Sequence, residues 1–294
     1  MARIKIGSRG SDLALWQARF VRSELEKLGH EVEIKIIKTK GDAIQHLSFD
    51  KIEGKGFFTK EIEDQLLDKS VDLAVHSHKD LETTNPAGLT IGAVSYRANP
   101  ADVLLIRKEK TSGLKFQLTE NALVGTSSAR RKVQLKKYRP DIGLKDIRGN
   151  VPTRIEKLRK GEFDAIVLAQ AGIARLKLDV SDLEVYEFDI KEFIPAPAQG
   201  VLGLQIREED TELDKILHQL NNEEVQKCIG VERGILKGLN GGCQLPLGAY
   251  CEKDGNTYHV WSSIAKTVNE IPEHTHFFDS NPDKLVQKVL NNLI

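Results

Sequence analysis

Sulfur is scarce in this sequence, with one methionine and three cysteines in 294 residues. So few cysteines, and an odd number, argue against a disulfide framework and fit free thiols in a cytosolic protein. Neither sign of charge is in excess, since 43 Lys and Arg meet 43 Asp and Glu. No global field therefore favours nucleic acid or an anionic membrane surface. Long apolar runs are missing too. The longest uninterrupted one, Ala165–Ala169, falls far short of the ~20 residues a bilayer span needs. There is no low-complexity tract and no solenoid period. The opening Met1–Gly7 alternates charged and aliphatic residues, which reads as a strand and not as a secretory leader. What is present is a globular composition, 40% hydrophobic and 29% charged. That supplies cores for about two domains, with room for a third.

The chain alternates strand-like and helix-like stretches. Arg3–Gly7 reads as a strand, and Ser11 caps a helix that runs to Leu28 and stops at Gly29. Val32, Ile34 and Ile36 alternate with charged residues, as in a half-exposed strand. Thr59–Lys69 is helical in pattern, and Asp72–Val75 is the next strand. A second unit repeats the theme, with strands over Val103–Arg107, Leu123–Gly125, Lys145–Ile147 and Asp164–Leu168. Its helices cover Ser127–Tyr138 and a stretch ending near Lys160, with Pro152 in the first turn. Two proline-containing segments, Arg97–Ala101 and Ile194–Gly200, bracket this unit and read as two chain crossings. After residue 221 come a helix through Gly238, a turn-rich loop, alternating segments Leu247–Cys251 and Thr257–Ala265, and a last helix opening at Asn281. The expected layout is an α/β domain of residues 1–98 plus 195–218, an inserted α/β domain of residues 102–192, and an α+β domain of residues 221–294.

Several segments can carry chemistry. The polar run His76–Asp80 begins where a strand ends, and open α/β sheets bind ligands at the carboxyl ends of their strands. A carboxylate beside a lysine there can stabilise a cationic reactant; a solvated turn is the plainer alternative. His76 and His78 have no third ligand at a metal-binding spacing, so no metal site is assigned. Three strand-to-helix junctions combine small or hydroxyl residues with arginine: Ile6–Arg9, Val124–Arg131 and Arg148–Arg154. Free amides at a helix start and bidentate guanidinium groups favour carboxylate or phosphate. Capping explains one such junction; three point to a local polyanion site. Six of the ten residues Arg130–Arg139 are basic, but only Tyr138 interleaves, which disfavours nucleic acid. Gly54–Phe58 reads as a lid or an ordinary loop. Cys243 sits between glycines and Gln244, where a thiol is unobstructed for attachment chemistry or simply structural. Cys228 and Cys251 read as buried thiols.

Taken in order, these segments resemble the porphobilinogen deaminase (hydroxymethylbilane synthase) family along nearly the whole chain. The resemblance rests on Ser8-Arg9 with Leu13–Gln17, Gly54–Phe57 with Lys60-Glu61, and Ala74–Ser77 with Lys79-Asp80. It continues through Val124–Ser128 with Arg130-Arg131, Arg148–Asn150 with Thr153-Arg154, and Gln199-Gly200. It closes on Gly241–Gln244 and Pro246.

The resemblance implies two similar α/β domains like those of solute-binding proteins, with a cleft between them, and a small C-terminal α+β domain. It implies an enzyme that joins four porphobilinogen molecules, releases four ammonia and yields hydroxymethylbilane for haem and related tetrapyrroles. The implied cofactor is one dipyrromethane, attached to Cys243 through a thioether. Asp80 matches the catalytic carboxylate, facing the cationic pyrrole left by ammonia loss. Ser77, Lys79, Thr126, Ser127, Ser128, Arg130, Arg131, Arg148 and Gly149 match cofactor contacts. Arg9, Gln17, Arg154, Arg175, Gln199 and Lys55, with Arg148 again, match substrate contacts. A cytoplasmic monomer without nucleic-acid or membrane partners is the implied state. The sequence departs from the commonest family pattern at His78 (often methionine), at Leu81-Glu82 (often Val-Pro) and at Ala198 (usually glycine). Two other classes remain open. A non-catalytic polycarboxylate-binding protein would need the arginines but neither Cys243 nor Asp80, and a nucleic-acid binder would lose affinity steeply with salt.

Overall fold

The computed structural model describes residues 1–39, 59–242 and 244–292. The first elements in chain order are β1 (Arg3–Ser8), α1 (Asp12–Lys27), β2 (Glu31–Ile36), α2 (Lys60–Leu67), β3 (Leu73–Ser77) and β4 (Leu89–Val94). Then follow β5 (Asp102–Arg107), β6 (Leu123–Gly125), α3 (Ala129–Tyr138), β7 (Gly143–Lys145), α4 (Val151–Arg159), β8 (Ala165–Ala169), α5 (Gln170–Leu176) and β9 (Leu183–Glu187). The chain ends with β10 (Leu202–Arg207), α6 (Thr211–Leu217), α7 (Glu223–Gly238), β11 (Leu247–Asp254), β12 (Thr257–Ile264), β13 (Glu273–Asp279) and α8 (Pro282–Asn292).

The described residues form two compact units, one of residues 1–39, 59–98 and 200–227, the other of the remainder. The first is built on a five-stranded sheet, β2-β1-β3-β10-β4, and the second contains another, β7-β6-β8-β5-β9. In both, three neighbouring parallel strands are followed by an antiparallel one. The carboxyl ends of the parallel strands therefore share an edge with the first residue of the antiparallel strand, Leu202 beside Ser77 and Asp102 beside Ala169. Burying the aliphatic faces of these sheets supplies the cores, Ile4, Ile6, Leu25 and Leu204 in one and Leu104, Ile106, Val124 and Val167 in the other. The second unit also holds the antiparallel sheet β11-β12-β13, packed through Val260 and Leu247 against Ile235 of α7 and Leu285 of α8.

Two expectations shift. The strand expected over Asp72–Val75 runs on through Ser77, so only His78–Asp80 form the following turn. The strand expected over Lys145–Ile147 lies at Gly143–Lys145 instead. Ile147 leaves the ladder because the Ser127 hydroxyl donates to its carbonyl (2.8 Å) and accepts from its amide (3.1 Å). Left-handed backbone follows at the Ile194–Gly200 segment. Gly200 has φ +89, and a Cβ there would meet the Ala98 carbonyl oxygen at 2.4 Å. Ala198 has φ +59, a conformation that glycine adopts without strain, which is the physical reason glycine is usual there in the family it resembles.

The C-terminal sheet is fastened to that same segment. The Ala249 amide donates to Pro195 O at 3.0 Å. Glu232 of α7, fully buried, accepts from the Ala198 amide and from the Cys251 amide, each at 2.7 Å. Gly248 is required where β11 runs over Ile194, because a Cβ would lie 2.5 Å from the Ile194 carbonyl oxygen.

Candidate functional site

In the first unit, the candidate residues collect where β1 and β3 end. Ser8, the last residue of β1, is buried and donates its hydroxyl to Ala14 O at 3.2 Å, fixing the entry into α1. Gln17 on α1 is buried and donates through Nε2 to Ser77 Oγ at 2.8 Å. It thus ties the helix to the end of β3 rather than standing open to a ligand. Arg9 is half-buried and Lys79 likewise, while Asp80 is exposed at the end of the turn. His78 turns inward, buried against Gly203 at the start of β10.

Beneath this edge runs a buried polar chain, of which the sequence marked only His76. The His76 Nε2 lies 3.1 Å from Gln205 Oε1, Gln205 Nε2 donates to Glu63 Oε1 at 3.2 Å, and Thr59 donates to Glu63 Oε2 at 3.3 Å. An amide oxygen only accepts, so the His76 Nε2 carries the proton. Burial pushes the His76 imidazole from 6.5 down to about 4, against the raising effect of Gln205 and with help from Arg9. Burial also raises the Glu63 carboxyl, despite the hydrogen bonds from Gln205 and Thr59.

This depression fixes the sign of a pH effect. The unfolded imidazole takes up its proton near pH 6.5, the folded one only near 4, so acid favours the unfolded chain. The stability that His76 contributes is complete above pH 6.5 and is lost as pH falls towards 4, about 3 kcal/mol in all. Replacing His76 with glutamine removes this titration. Urea midpoints of His76→Gln are expected to change less between pH 6.5 and 4 than those of the parent, and parallel curves would refute the assignment.

The second unit gathers its candidates in the same way. Thr126, Ser127 and Ser128 join the end of β6 to α3, and Ser128 caps the helix by accepting from the Arg131 amide. Arg148 and Gly149 follow β7. Gly149 has φ +111, Asn150 caps α4 by accepting from the Thr153 amide, and Arg154 Nε donates back to Gly149 O at 2.8 Å. Arg175 stands half-buried on α5, after β8.

Arg130 and Arg131, expected as cofactor contacts, have their side chains turned inward. Both are buried, and both grip Asp102, the fully buried first residue of β5. Arg130 Nη2 reaches Asp102 Oδ2 at 2.7 Å; Arg131 reaches Oδ1 through Nη2 at 2.7 Å and Oδ2 through Nε at 3.2 Å. Gln199, also buried, donates to Oδ1 at 2.8 Å and to Pro100 O at 2.7 Å, so it supports this carboxylate. All four lone-pair positions of Asp102 are taken. Burial pushes the Asp102 carboxyl up, but Arg130 and then Arg131 pull harder and hold it far below the ordinary carboxylate range. Two guanidinium groups on one carboxylate leave a net positive charge beneath the α3 N-terminus, where the helix dipole adds to it. The Arg130 Nε is buried with no hydrogen-bond partner among the described residues.

Cys243 and Lys55 lie outside the described residues, as does the segment expected to form a lid. The residues just before Cys243 are described. α7 ends in a cap with Asn240 at φ +51, the Asn240 amide donating to Lys237 O and the Gly241 amide to Leu236 O. Cys228 and Cys251 are buried, as expected.

Residues 4–215 match the family model described as "Porphobilinogen deaminase, dipyromethane cofactor binding domain", and residues 226–265 match "Porphobilinogen deaminase, C-terminal domain". Among curated proteins, the chain is 47% identical over 261 residues to a porphobilinogen deaminase of Clostridioides difficile, covering 87% of this chain and 85% of that one. It is 43% identical over 263 residues to one of Carboxydothermus hydrogenoformans, covering 88% and 83%.

Proposed function

The chain belongs to the porphobilinogen deaminase family, and on that premise we propose which of its side chains carry the family's reaction. The protein is a transferase of tetrapyrrole biosynthesis that condenses four porphobilinogen molecules to hydroxymethylbilane, with dipyrromethane as its cofactor.

The second unit fits that cofactor chemically. Its pyrroles carry acetate and propionate, and this sheet edge offers donors and positive charge: Thr126, Ser127, Ser128, Arg148, Gly149 and the Arg130–Arg131 pair. The buried Arg130 Nε, without a hydrogen-bond partner among the described residues, is the observation that most favours an anion here, since a buried N–H is costly without an acceptor. When bound, dipyrromethane supplies the pyrrole carbon to which the first substrate is joined. Cys243 is the proposed thioether anchor.

Asp80 is the catalytic carboxylate. Its oxygens stabilise the positive charge that develops on the substrate pyrrole as ammonia leaves, and they accept the proton released after coupling. Ser77 and Lys79, its neighbours at the end of β3, orient cofactor carboxylates by hydrogen bond and charge. Arg9, Arg148, Arg154, Arg175 and Lys55 hold the carboxylates of incoming substrate, each added unit bringing two more negative charges. Gln17 and Gln199 serve the substrate indirectly, by positioning Ser77 and Asp102.

The proposal takes residues 1–98 plus 195–218, residues 102–192 and residues 221–294 as three domains. It also takes the protein as a cytoplasmic monomer, without nucleic-acid or membrane partners. Balanced charge supports this, and no helix among the described residues is long and apolar enough to cross a membrane.

An intact-protein mass spectrum after incubation with porphobilinogen tests the anchor. The parent chain is expected to carry the added mass of a dipyrromethane, mapped to the Cys243 peptide, and Cys243→Ser to carry none. Covalent dipyrromethane on the Cys243→Ser chain would overturn the anchor. A parent chain that stays unmodified and inactive would favour a polycarboxylate-binding protein.

A further inference from the structure

The sheet β11-β12-β13 has two faces of different character. Along β12, Tyr258, Val260 and Ser262 are buried, whereas His259 and Trp261 alternate with them on the other face. Register places His259 opposite Phe278, and Trp261 opposite His276 on one side and Tyr250 on the other, so five rings share that outer face. Trp261 stacks on His276 with centroids 4.4 Å apart and planes 6° apart, and Phe278 is 62% exposed. Cross-strand ring pairs stabilise a sheet by themselves, and that accounts for the stacking. The two imidazoles also meet through a hydrogen bond, with His259 Nδ1 3.2 Å from His276 Nε2.

Two imidazole nitrogens at that separation subtend roughly 100° at an ion about 2.0–2.1 Å from each, between square-planar and tetrahedral geometry. The ion would sit beside the N···N line, about 40° off it as seen from each nitrogen, and is reached by turning both rings about χ2, a soft torsion in histidine. We propose that His259 and His276 form an exposed binding site for a late first-row divalent transition-metal ion such as Cu²⁺, Ni²⁺ or Zn²⁺. Imidazole nitrogen selects these ions over Mg²⁺ and Ca²⁺. Among the described residues no group of three His, Cys, Asp or Glu is placed to hold an ion, so water fills the remaining positions, and the exposure of His276 leaves room for it.

The surrounding charge permits a cation. Lys191 lies over the Trp261 ring at 4.4 Å, but its ammonium is paired with Glu252 Oε1 at 2.7 Å. Glu252 stands directly opposite His259 in the strand register, and Tyr250 donates to its other oxygen at 3.0 Å. Binding also balances in protons. In the free pair one of the two facing nitrogens carries hydrogen; when the ion binds, that ring moves its proton to its other nitrogen. Both lone pairs then face the metal, and no net proton is released.

The test uses tag-free, full-length holoprotein titrated with Cu²⁺. The chain has two tryptophans, and Trp261, stacked on His276, is the reporter. Its fluorescence is expected to be quenched in a saturable way near one equivalent. His259→Gln and His276→Gln are each expected to weaken this at least tenfold. Trp261→Phe is expected to lose most of the quenching while calorimetry still detects the ion. Electron paramagnetic resonance of the unmutated protein gives a second reading, with two imidazole nitrogens on the copper. Affinities within twofold of the parent in both histidine variants, or a copper spectrum with fewer than two nitrogens, would overturn the site.

Discussion

Asp80→Asn is expected to lower turnover by about two to four orders of magnitude while leaving the thermal melt within a degree or two of the parent. The two halves have separate physical grounds. Asparagine keeps the shape of the side chain but removes its negative charge and its basicity. The exchange therefore withdraws both the stabilisation of a developing cation and the proton acceptor, each worth about 10²-fold or more in an enzyme site. Stability is untouched because Asp80 is exposed at the end of the His78–Asp80 turn, where it carries no core packing. Surface exchanges of this kind stay within about 0.5 kcal/mol. Steady-state kinetics at saturating porphobilinogen, paired with a melt of the same preparation, decides the matter. Turnover above a tenth of the parent value would remove Asp80 from the catalytic role, and a collapsed melt would make any rate loss uninformative about chemistry. His78, where relatives often carry methionine, bears on Asp80 less directly than adjacency in sequence implies, because its ring is packed inward against Gly203.

The junctions that hold the candidate site residues were legible because they combine two local signals, a short apolar strand and a capping residue that opens a helix. Ser11, Ser128 and Asn150 each accept from an amide in the first turn of their helices. What was not legible depends on partners distant in sequence. Asp102 opens the strand Asp102–Arg107 and reads locally as a solvated boundary residue; only folding brings Arg130, Arg131 and Gln199 onto it. The strand Leu202–Arg207 does alternate, with Leu202, Leu204 and Ile206 on one face; what its sequence conceals is that the other face, with Gln205 and Arg207, is buried as well. Both are buried and paired, Gln205 with His76 and Glu63, Arg207 with the carbonyls of Leu66 and Val71. The strand Glu273–Asp279 hides for a different reason. Its outer face is made of His276 and Phe278, stacked on rings of the neighbouring strand, and no aliphatic alternation marks it.

Asp102→Asn is expected to destabilise the protein by about 3–5 kcal/mol at pH 7, the range for removing one partner of a buried ionic group. The size follows from what is left behind. Arg130 and Arg131 stay buried among backbone carbonyls of Ile194 and Val167 with no counter-charge, and an asparagine oxygen replaces only part of four charge-assisted hydrogen bonds. Acid supplies an independent check on sign. The folded Asp102 carboxyl titrates far below its ordinary value of 3.8, so it stabilises the fold at every pH above about 4 and loses that contribution as pH falls further. The difference between parent and Asp102→Asn is therefore expected to be full at neutral pH and to narrow below pH 4. Urea unfolding of both chains at pH 7 and pH 3 measures it, best on protein without attached cofactor so that lost binding does not add to the loss. A difference under 1 kcal/mol at pH 7 would mean that the two guanidinium groups find other partners. The Asp102 cluster would then be a product of the ligand site's charge and not a support for it.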